Sequence, residues 1–333
     1  MLRKITYSLK SRGIARSLGL MGAYLFWYLK KFTSRERKFL RYLNNYKMYL
    51  NLDDPGLSTT IGRGGDREKD QAKVLMEELK EGMAVLDIGA NLGYYALMEA
   101  ARVGAQGKIY AVEPVPSNYQ FLTENIRLNN FNDRVETFNL AISNQKGKQK
   151  LFLSKLSNLN TLFPEGTSCK QSMTGETIDV ETMDLGFFLI GKRPIDLVRM
   201  DIEGAEVEVF QSLVQLLEKN GSVPKRILFE THRSKYNDNH SMEKPLRKLL
   251  AEGYVVKRLI SNSDDGTKWE KCGYKPNELI YTDGMVRGIY SQVAADDAVD
   301  LICHKGGVRA VLLEFSGKQF SSPQITANAS RNT

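Results

Sequence analysis

The stretch Val85 to Leu97, VLDIGANLGYYAL, carries an apolar strand into a glycine turn and then into a helix-forming sequence. Such a junction sets a helix N-terminus, with its unpaired backbone N–H groups, at the carboxyl edge of a buried strand, where open α/β sheets bind their ligands. The glycines decide what kind of ligand. A dinucleotide turn of the GxGxxG type needs its second glycine so that the backbone can approach a pyrophosphate. Here Gly89 and Gly93 bracket Asn91, so the position of close approach carries a side chain. The turn suits a ligand without phosphate.

Two acids narrow the choice. Asp87 closes the strand, where a carboxylate can face a cationic ligand group, and Glu113 closes the next strand in KIYAVEP, 26 residues later. A carboxylate at that second strand end is placed to accept hydrogen bonds from two ribose hydroxyls. A ribose with a cationic, phosphate-free appendage describes S-adenosylmethionine. The same arrangement of strand, glycine turn, helix and acid also occurs in unrelated α/β proteins, nicotinamide enzymes among them.

Around this motif the chain alternates. AVLDIG, KIYAVEP, RVETFNLAI, PIDLVRMD, RILFETH, YVVKRLI and NELIYTD read as strands, and the segments between the early ones as helices. Examples are LGYYALMEAARVG closed by Gly104, NYQFLTENIRLNN, AEVEVFQSLVQLLEKN ended by Gly221, and Ser241 to Glu252. A further helix is expected over Gln71 to Lys80. Strands alternating with helices predict βαβ units and a mostly parallel sheet covered on both faces. Lys148 to Thr177 breaks the rhythm: KQKLFLS reads as an exposed strand, and the rest as a long loop inserted over the site, with disorder as the alternative. RAVLLEF can form a strand, and the last dozen residues have the composition of a disordered tail.

Charge is concentrated at the N-terminus. Residues 1–40 hold ten Lys or Arg against one acid, Glu36, so this segment is +9 of a net +8 and the remainder sums to −1. A near-neutral body lacks the extended basic face that neutralising many phosphates requires, which argues against a nucleic-acid partner. Within the segment LGLMGAYLFWYL, Leu18 to Leu29, is uncharged and is followed by Lys30 and Lys31. Twelve helical residues rise about 18 Å, short of a hydrocarbon core of about 30 Å, and no cleavage site of small residues follows. The expected element is a helix that lies on an anionic membrane surface or docks on its own domain or a partner. Three dispersed cysteines (Cys169, Cys272, Cys303) make neither a disulfide framework nor a metal pair and point to a reducing, cytoplasmic compartment, with peripheral contact at the inner membrane face as the variant.

DIGANLGYYAL, AVEPVPSNYQFLTENIRLN, VRMDIEGAEVEVF and LFETH follow one another in this order, and the set resembles the FkbM family of S-adenosylmethionine-dependent methyltransferases over roughly residues 45 to 260. DDPGLS, followed by Arg67 and Glu68, is similar to that family's upstream segment. The resemblance implies a seven-stranded class I methyltransferase (Rossmann-like) sheet with its last strand antiparallel, and O-methylation as the usual activity. It puts Asp87, Gly89, Asn91 and Gly93 around the methionine half of the cofactor, Glu113 on its ribose, and Asn139 to Ala141 near the adenine. Asn118 and Asn125 fit the family spacing and are expected to cap and buttress their helix. The chain divides accordingly into a basic helical segment (1–50), a methyltransferase domain (51–284) and a C-terminal extension (285–333).

Methyl transfer to a hydroxyl is an in-line displacement that removes the sulfonium charge, so catalysis rests on alignment and on a group that takes the hydroxyl proton. MDIEGAE supplies Asp201 and Glu203 at the fourth strand end, where two neighbouring carboxylates can raise one pKa toward a usable base. Glu206 favours the dipole of the helix it begins. Glu230 and His232 end the fifth strand, and a histidine is the natural base near neutral pH. Asp201, Glu203 and His232 are the catalytic candidates; nothing in the spacing demands a metal. The acceptor expected is a small molecule, glycan or lipid bearing a hydroxyl. Its pocket is drawn from Leu156 to Thr174, with Asn158 and Asn160 as polyol contacts, and from Ile260 to Pro276, where Lys268, Trp269 and Lys271 either add stacking and charge or belong to a surface hairpin, the reading preferred. The competing readings are a non-catalytic methyltransferase-like scaffold at a membrane and a nucleic-acid methyltransferase. The latter lacks here both an Asn/Asp-Pro-Pro-aromatic segment and a Pro-Cys nucleophile.

Overall fold

The computed structural model describes residues 14–43, 45–64, 67–164, 172–263, 269 and 271–317, with side chains from residue 21 onward. Cys169, Lys268, part of the expected insertion and the expected disordered tail lie outside these residues.

The alternation of the sequence becomes one large sheet. In chain order its strands are β3 (Ala84–Ile88), β4 (Lys108–Val112), β5 (Val135–Phe138), β9 (Leu197–Met200), β10 (Arg226–Glu230), β11 (Tyr254–Ser261), β12 (Glu278–Thr282), β13 (Met285–Tyr290) and β14 (Val308–Phe315). In space they run β12-β13-β11-β14-β10-β9-β3-β4-β5. β5, β4, β3, β9 and β10 are parallel neighbours, and β14 enters antiparallel between β10 and β11. These seven strands form the class I methyltransferase sheet, and the antiparallel hairpin β12-β13 adds two more at the β11 edge. The boundary expected at 284 therefore does not hold. β13 and β14 both lie beyond it, and Ala310, Val311, Leu312 and Leu313 of β14 are completely buried in the sheet's core.

Residues alternate across this sheet as a pleated strand requires. Ala84, Leu86 and Ile88 face one core with Val209, Phe210 and Leu213 of the helix Glu206–Glu218 and Leu246 and Leu249 of the helix Glu243–Ala251. Val85 faces the other core, with Leu75 of the helix Lys69–Glu78, Leu97 of the helix Tyr94–Val103 and Leu122 of the helix Pro116–Leu128. At about 25 cal/mol per Å² of apolar surface, these two layers supply most of the drive to fold.

Three other segments differ from expectation. Among the described residues of the first fifty, Ile14–Thr33 is helical, whereas Lys38–Leu43 (β1) and Tyr46–Asn51 (β2) form an antiparallel hairpin. Its Tyr46, Met48 and Leu50 are buried at every second residue, a period that a helix cannot present to one core. RVETFNLAI is two strands rather than one, because Ala141–Ser143 (β6) leaves the large sheet and pairs with Met173–Asp184 (β8). β8 also pairs with Gly147–Ser154 (β7), so the expected insertion begins and ends in paired strands, and the described part of the segment between them, 155–164 and 172, carries the turn Ser157–Leu159. Trp269, an acceptor-contact candidate, is instead in the core, stacked on Tyr290 with ring centroids 4.3 Å apart.

Candidate cofactor and acceptor site

The parallel strands end on one side of the sheet, and the loops after β3, β4 and β9 line a cleft there. After β3 the chain turns through Gly89 (φ +83°), Asn91 (φ +52°) and Gly93 (φ +95°). Gly89 passes so close to the β9 loop that a Cβ there would lie 2.3 Å from the Asp201 carbonyl oxygen. Only glycine meets both conditions. Asn91 occupies the left-handed region that asparagine tolerates, and its side chain holds two segments together. Its Oδ1 accepts from the Leu92 N–H (2.8 Å), and its Nδ2 donates to the Ser157 carbonyl (3.1 Å).

Glu113 lies directly under this turn. Oε2 accepts from the Asn91 N–H (2.9 Å), while Oε1 accepts from the Val115 N–H (3.0 Å) and from Asn118 Nδ2 (3.4 Å). Burial pushes its carboxyl up to about 7, against the pull of these donors. A carboxylate oxygen can accept two hydrogen bonds, so Oε2 keeps capacity toward the cleft. Beyond Glu113 the wall is apolar, built by Leu140, Ala141, Ile142, Leu151 and Leu162. A carboxylate with spare acceptor capacity beside a flat apolar wall fits the hydroxyl-bearing ribose and the base of a nucleoside.

The insertion closes this space. The turn Ser157–Leu159 covers the glycine loop, with Asn158 and Asn160 lining the cleft. Asp54 of the upstream DDPGLS segment anchors it, accepting from the Ser157 N–H (3.2 Å) and from the N–H groups of Gly56 and Ser58 (both 2.8 Å). Asn125 buttresses from below, donating to the Leu92 carbonyl (2.8 Å) and exchanging bonds with the backbone of Tyr49.

Two of the expected cofactor residues have other tasks. Asp87 has no exposed surface and does not line the cleft; its Oδ1 pairs with Arg199 Nη1 at 3.3 Å. Burial raises its pKa in spite of Arg199. Nor does the Asn139 side chain line the cleft: Nδ2 donates to the carbonyls of Glu113 (2.9 Å) and Pro114 (3.0 Å) and so braces the loop that carries Glu113. Gly89, Asn91, Glu113 and Ala141 do line it, and Gly93 begins the helix behind them.

Asp201 and Glu203 also line the cleft, and His232 lies beside them. His232 Nε2 is 3.7 Å from Asp201 Oδ1 and 3.5 Å from Glu203 Oε1, and Nδ1 is 2.8 Å from Glu206 Oε1. Burial alone would lower the imidazole pKa, but Glu206 and Glu203 together raise it well above its ordinary value. Glu206 and Glu203 thus favour the protonated ring, which counts against His232 as the base. Asp201 is not raised by its neighbour either. Burial pushes its pKa up, yet Arg199, His232, Arg67 and Arg309 outweigh this and hold it below the usual carboxylate range. Glu206 is more than a partner of the helix dipole, since it also accepts from the Ile202 N–H at 3.2 Å. Asp201, Glu203 and His232 could jointly hold a divalent cation, as could Glu68, Asp201 and Glu230.

Behind Asp201 lies a cluster that sequence reasoning did not assemble. Arg199 Nη2 reaches Asp201 Oδ2 at 3.1 Å, and its guanidinium sits 4.0 Å above the Tyr95 ring. Glu68 takes Arg67 (2.8 Å), Arg309 (2.9 Å) and the Tyr95 hydroxyl (3.0 Å), while Arg309 also reaches Glu230 (3.3 Å). Arg199 lies two residues before Asp201 on the strand, so both point to the same face; that spacing was the available signal.

A sequence model of the methyltransferase FkbM domain matches residues 87–256, beginning at Asp87 and spanning the glycine turn, Glu113, the Asp201 loop and His232. The chain belongs to the FkbM family of S-adenosylmethionine-dependent methyltransferases. Among curated relatives, this FkbM chain is 28% identical over 173 residues to methyltransferase sdnD of Sordaria araneosa, covering 44% of this chain and 65% of that protein. It is 26% identical over 157 residues to the hexuronic acid methyltransferase AglP of Haloferax volcanii, covering 45% and 58%. The matched part of the FkbM chain thus spans less than two thirds of each relative's length. A solved FkbM methyltransferase from Methylobacillus flagellatus aligns with TM-score 0.35 and 13% identity, over 64% of this chain and 44% of that one.

Proposed function

We propose that this FkbM methyltransferase transfers a methyl group from S-adenosylmethionine to a hydroxyl of a small polar acceptor, a sugar, glycolipid or polyketide-like molecule. The observation that carries the reading is the cleft lined by Glu113, an apolar wall, Asp201 and Glu203, with His232 Nε2 3.5 Å from Glu203 Oε1 beside it. The name of the Haloferax volcanii relative, a hexuronic acid methyltransferase, supports a sugar hydroxyl.

In this reading Glu113 fixes the cofactor through its ribose hydroxyls, and the apolar wall takes the adenine. Bound there, S-adenosylmethionine supplies an activated methyl group. Asp201 and Glu203 hold the acceptor hydroxyl in line, which can contribute about 7–11 kcal/mol through orientation alone. Glu203 accepts the hydroxyl proton, a contribution of typically 10² to 10⁴ in rate. His232, clamped by Glu206, keeps the two carboxylates from repelling one another and so holds Glu203 toward the cleft. Asn158 and Asn160 offer amide contacts to a polyol.

The test is calorimetric titration with S-adenosylmethionine and its demethylated product, repeated with Glu113→Ala, followed by a methyl-transfer screen of sugar, glycolipid and aliphatic hydroxyl acceptors. Binding lost in the variant and turnover on a hydroxyl acceptor are expected. Absence of binding by the wild type would return the chain to a scaffold role.

A further inference from the structure

The helix Ile14–Thr33 is mounted with its polarity reversed. Trp27 faces the body, 1% exposed, where it packs against Phe39 with ring centroids 5.3 Å apart. It also lies so close to Gly62 of the helix Leu57–Gly62 that a Cβ there would come within 2.0 Å of the indole. The opposite face carries Met21, Leu25, Leu29 and Phe32, spaced by four, four and three residues and 55%, 62%, 55% and 82% exposed. A helix that only packs on its own domain turns such a stripe inward. This one shows solvent a continuous apolar face after its large aromatic anchor has already been satisfied.

The surroundings of the stripe are basic. Lys30 and Lys31 close the helix, Arg35 follows, and residues 1–40 hold a single acid. Arg63 lies over the rings of Tyr24 and Tyr28 at 4.4 and 5.5 Å, adding a cation beside the apolar face. Next to Gly62, Ile61 forms the edge of a broad groove that also holds Arg41 and Arg102, while its Arg67 and Lys73 are already paired with Glu68 and with Glu77 and Glu278. Among the described residues no helix is long and apolar enough to cross a membrane.

We infer that this face docks the protein on an anionic phospholipid bilayer, with Met21, Leu25, Leu29 and Phe32 entering the acyl boundary and the surrounding cations taking the headgroup phosphates. An exposed apolar stripe alone would equally suit a second copy of the chain. The cationic surround selects the bilayer, because two copies would bring like charges together, whereas anionic headgroups neutralise them. Trp27 serves here as the rivet that holds the helix flat on the enzyme, so that insertion does not detach it.

The experiment is flotation of the full chain with vesicles of phosphatidylcholine, alone or mixed with phosphatidylglycerol, at low and high salt, for the wild type, Leu25→Glu and Phe32→Glu. Both positions are exposed, so these variants keep the fold, and S-adenosylmethionine binding measured in parallel shows the site intact independently of docking. The expected result is flotation that needs phosphatidylglycerol, weakens at high salt and falls roughly tenfold with each variant. Wild-type protein that stays with the soluble fraction on every vesicle overturns the inference. So does sedimentation equilibrium showing a dimer that both variants dissolve, since the stripe would then belong to a second copy.

Discussion

Nδ1 of His232 lies 2.8 Å from Oε1 of Glu206, a carboxylate with no exposed surface at the start of the helix Glu206–Glu218. The pair joins the ends of β9 and β10, and it sets the protonation state of the only histidine in the site. Its folded pKa is raised, so its contribution to stability is fully present below the unfolded value of about 6.5 and is lost as pH rises through the folded one. Glu206→Gln should lower the His232 pKa in an NMR titration and cost about 3–5 kcal/mol in urea denaturation near neutral pH, with the cost shrinking toward alkaline pH. An unchanged His232 titration would show that Glu206 does not hold the imidazole.

Glu113 predicts a pH dependence of cofactor affinity. Its carboxyl is raised from an ordinary 4.5 to about 7, so the unliganded fold is favoured by this group below 4.5 and loses that contribution as pH rises through about 7. Ribose hydroxyls donate to the ionised form. Affinity for S-adenosylmethionine should therefore fall about tenfold per pH unit below 7 and level off above it. Glu113→Gln should bind at least about tenfold more weakly at pH 8 and lose this slope. Calorimetry across pH 5.5 to 8.5 reads both, and a flat wild-type profile would remove Glu113 from the ribose.

Arg199 spans Asp87 at 3.3 Å and Asp201 at 3.1 Å while 4% exposed. Arg199→Met leaves the buried Asp87 carboxylate without its cation, and should destabilise by about 3–5 kcal/mol. Arg199→Lys should recover only part of this, because one ammonium cannot serve both carboxylates in the fork geometry of a guanidinium. Adding Asp87→Asn to Arg199→Met should restore stability but not activity, since Asp201 still lacks its guanidinium partner. Denaturant midpoints and initial rates on the same samples separate the two effects.

Gly89 and Gly82 both have φ near +80°, yet an added Cβ at Gly89 meets the Asp201 carbonyl at 2.3 Å and at Gly82 meets nothing within 4 Å. Gly82→Ala should cost about 1 kcal/mol from backbone strain alone. Gly89→Ala should cost more and abolish cofactor binding, because the β3 and β9 loops must separate. Equal effects at both positions would mean that the close approach carries no function.

The alternation of strands and helices, the glycine turn and Glu113 were legible in the sequence because each depends on neighbours within about thirty residues. The hairpin Lys38–Asn51 was not, although Tyr46, Met48 and Leu50 alternate, since the cations around it masked so short a pattern. β14 was legible as a strand but not as part of the sheet, because it pairs with β10 some eighty residues earlier in the chain.

By itself, the sequence determined that a parallel α/β sheet would present a glycine turn and a ribose-competent acid at one edge, since backbone sterics and hydrophobic period are local properties. The tertiary structure alone decided which charges meet. Asp87 and Arg199 are 112 residues apart and Glu206 and His232 are 26 apart, and each pair is set by strand order. That order made Asp87 a buried counter-ion of Arg199 and set His232 between Glu206 and Glu203, which raise its pKa. The physical reason is that a pKa and an ion pair depend on every charge within several ångströms, whatever its place in the chain, and only the folded sheet brings those charges together.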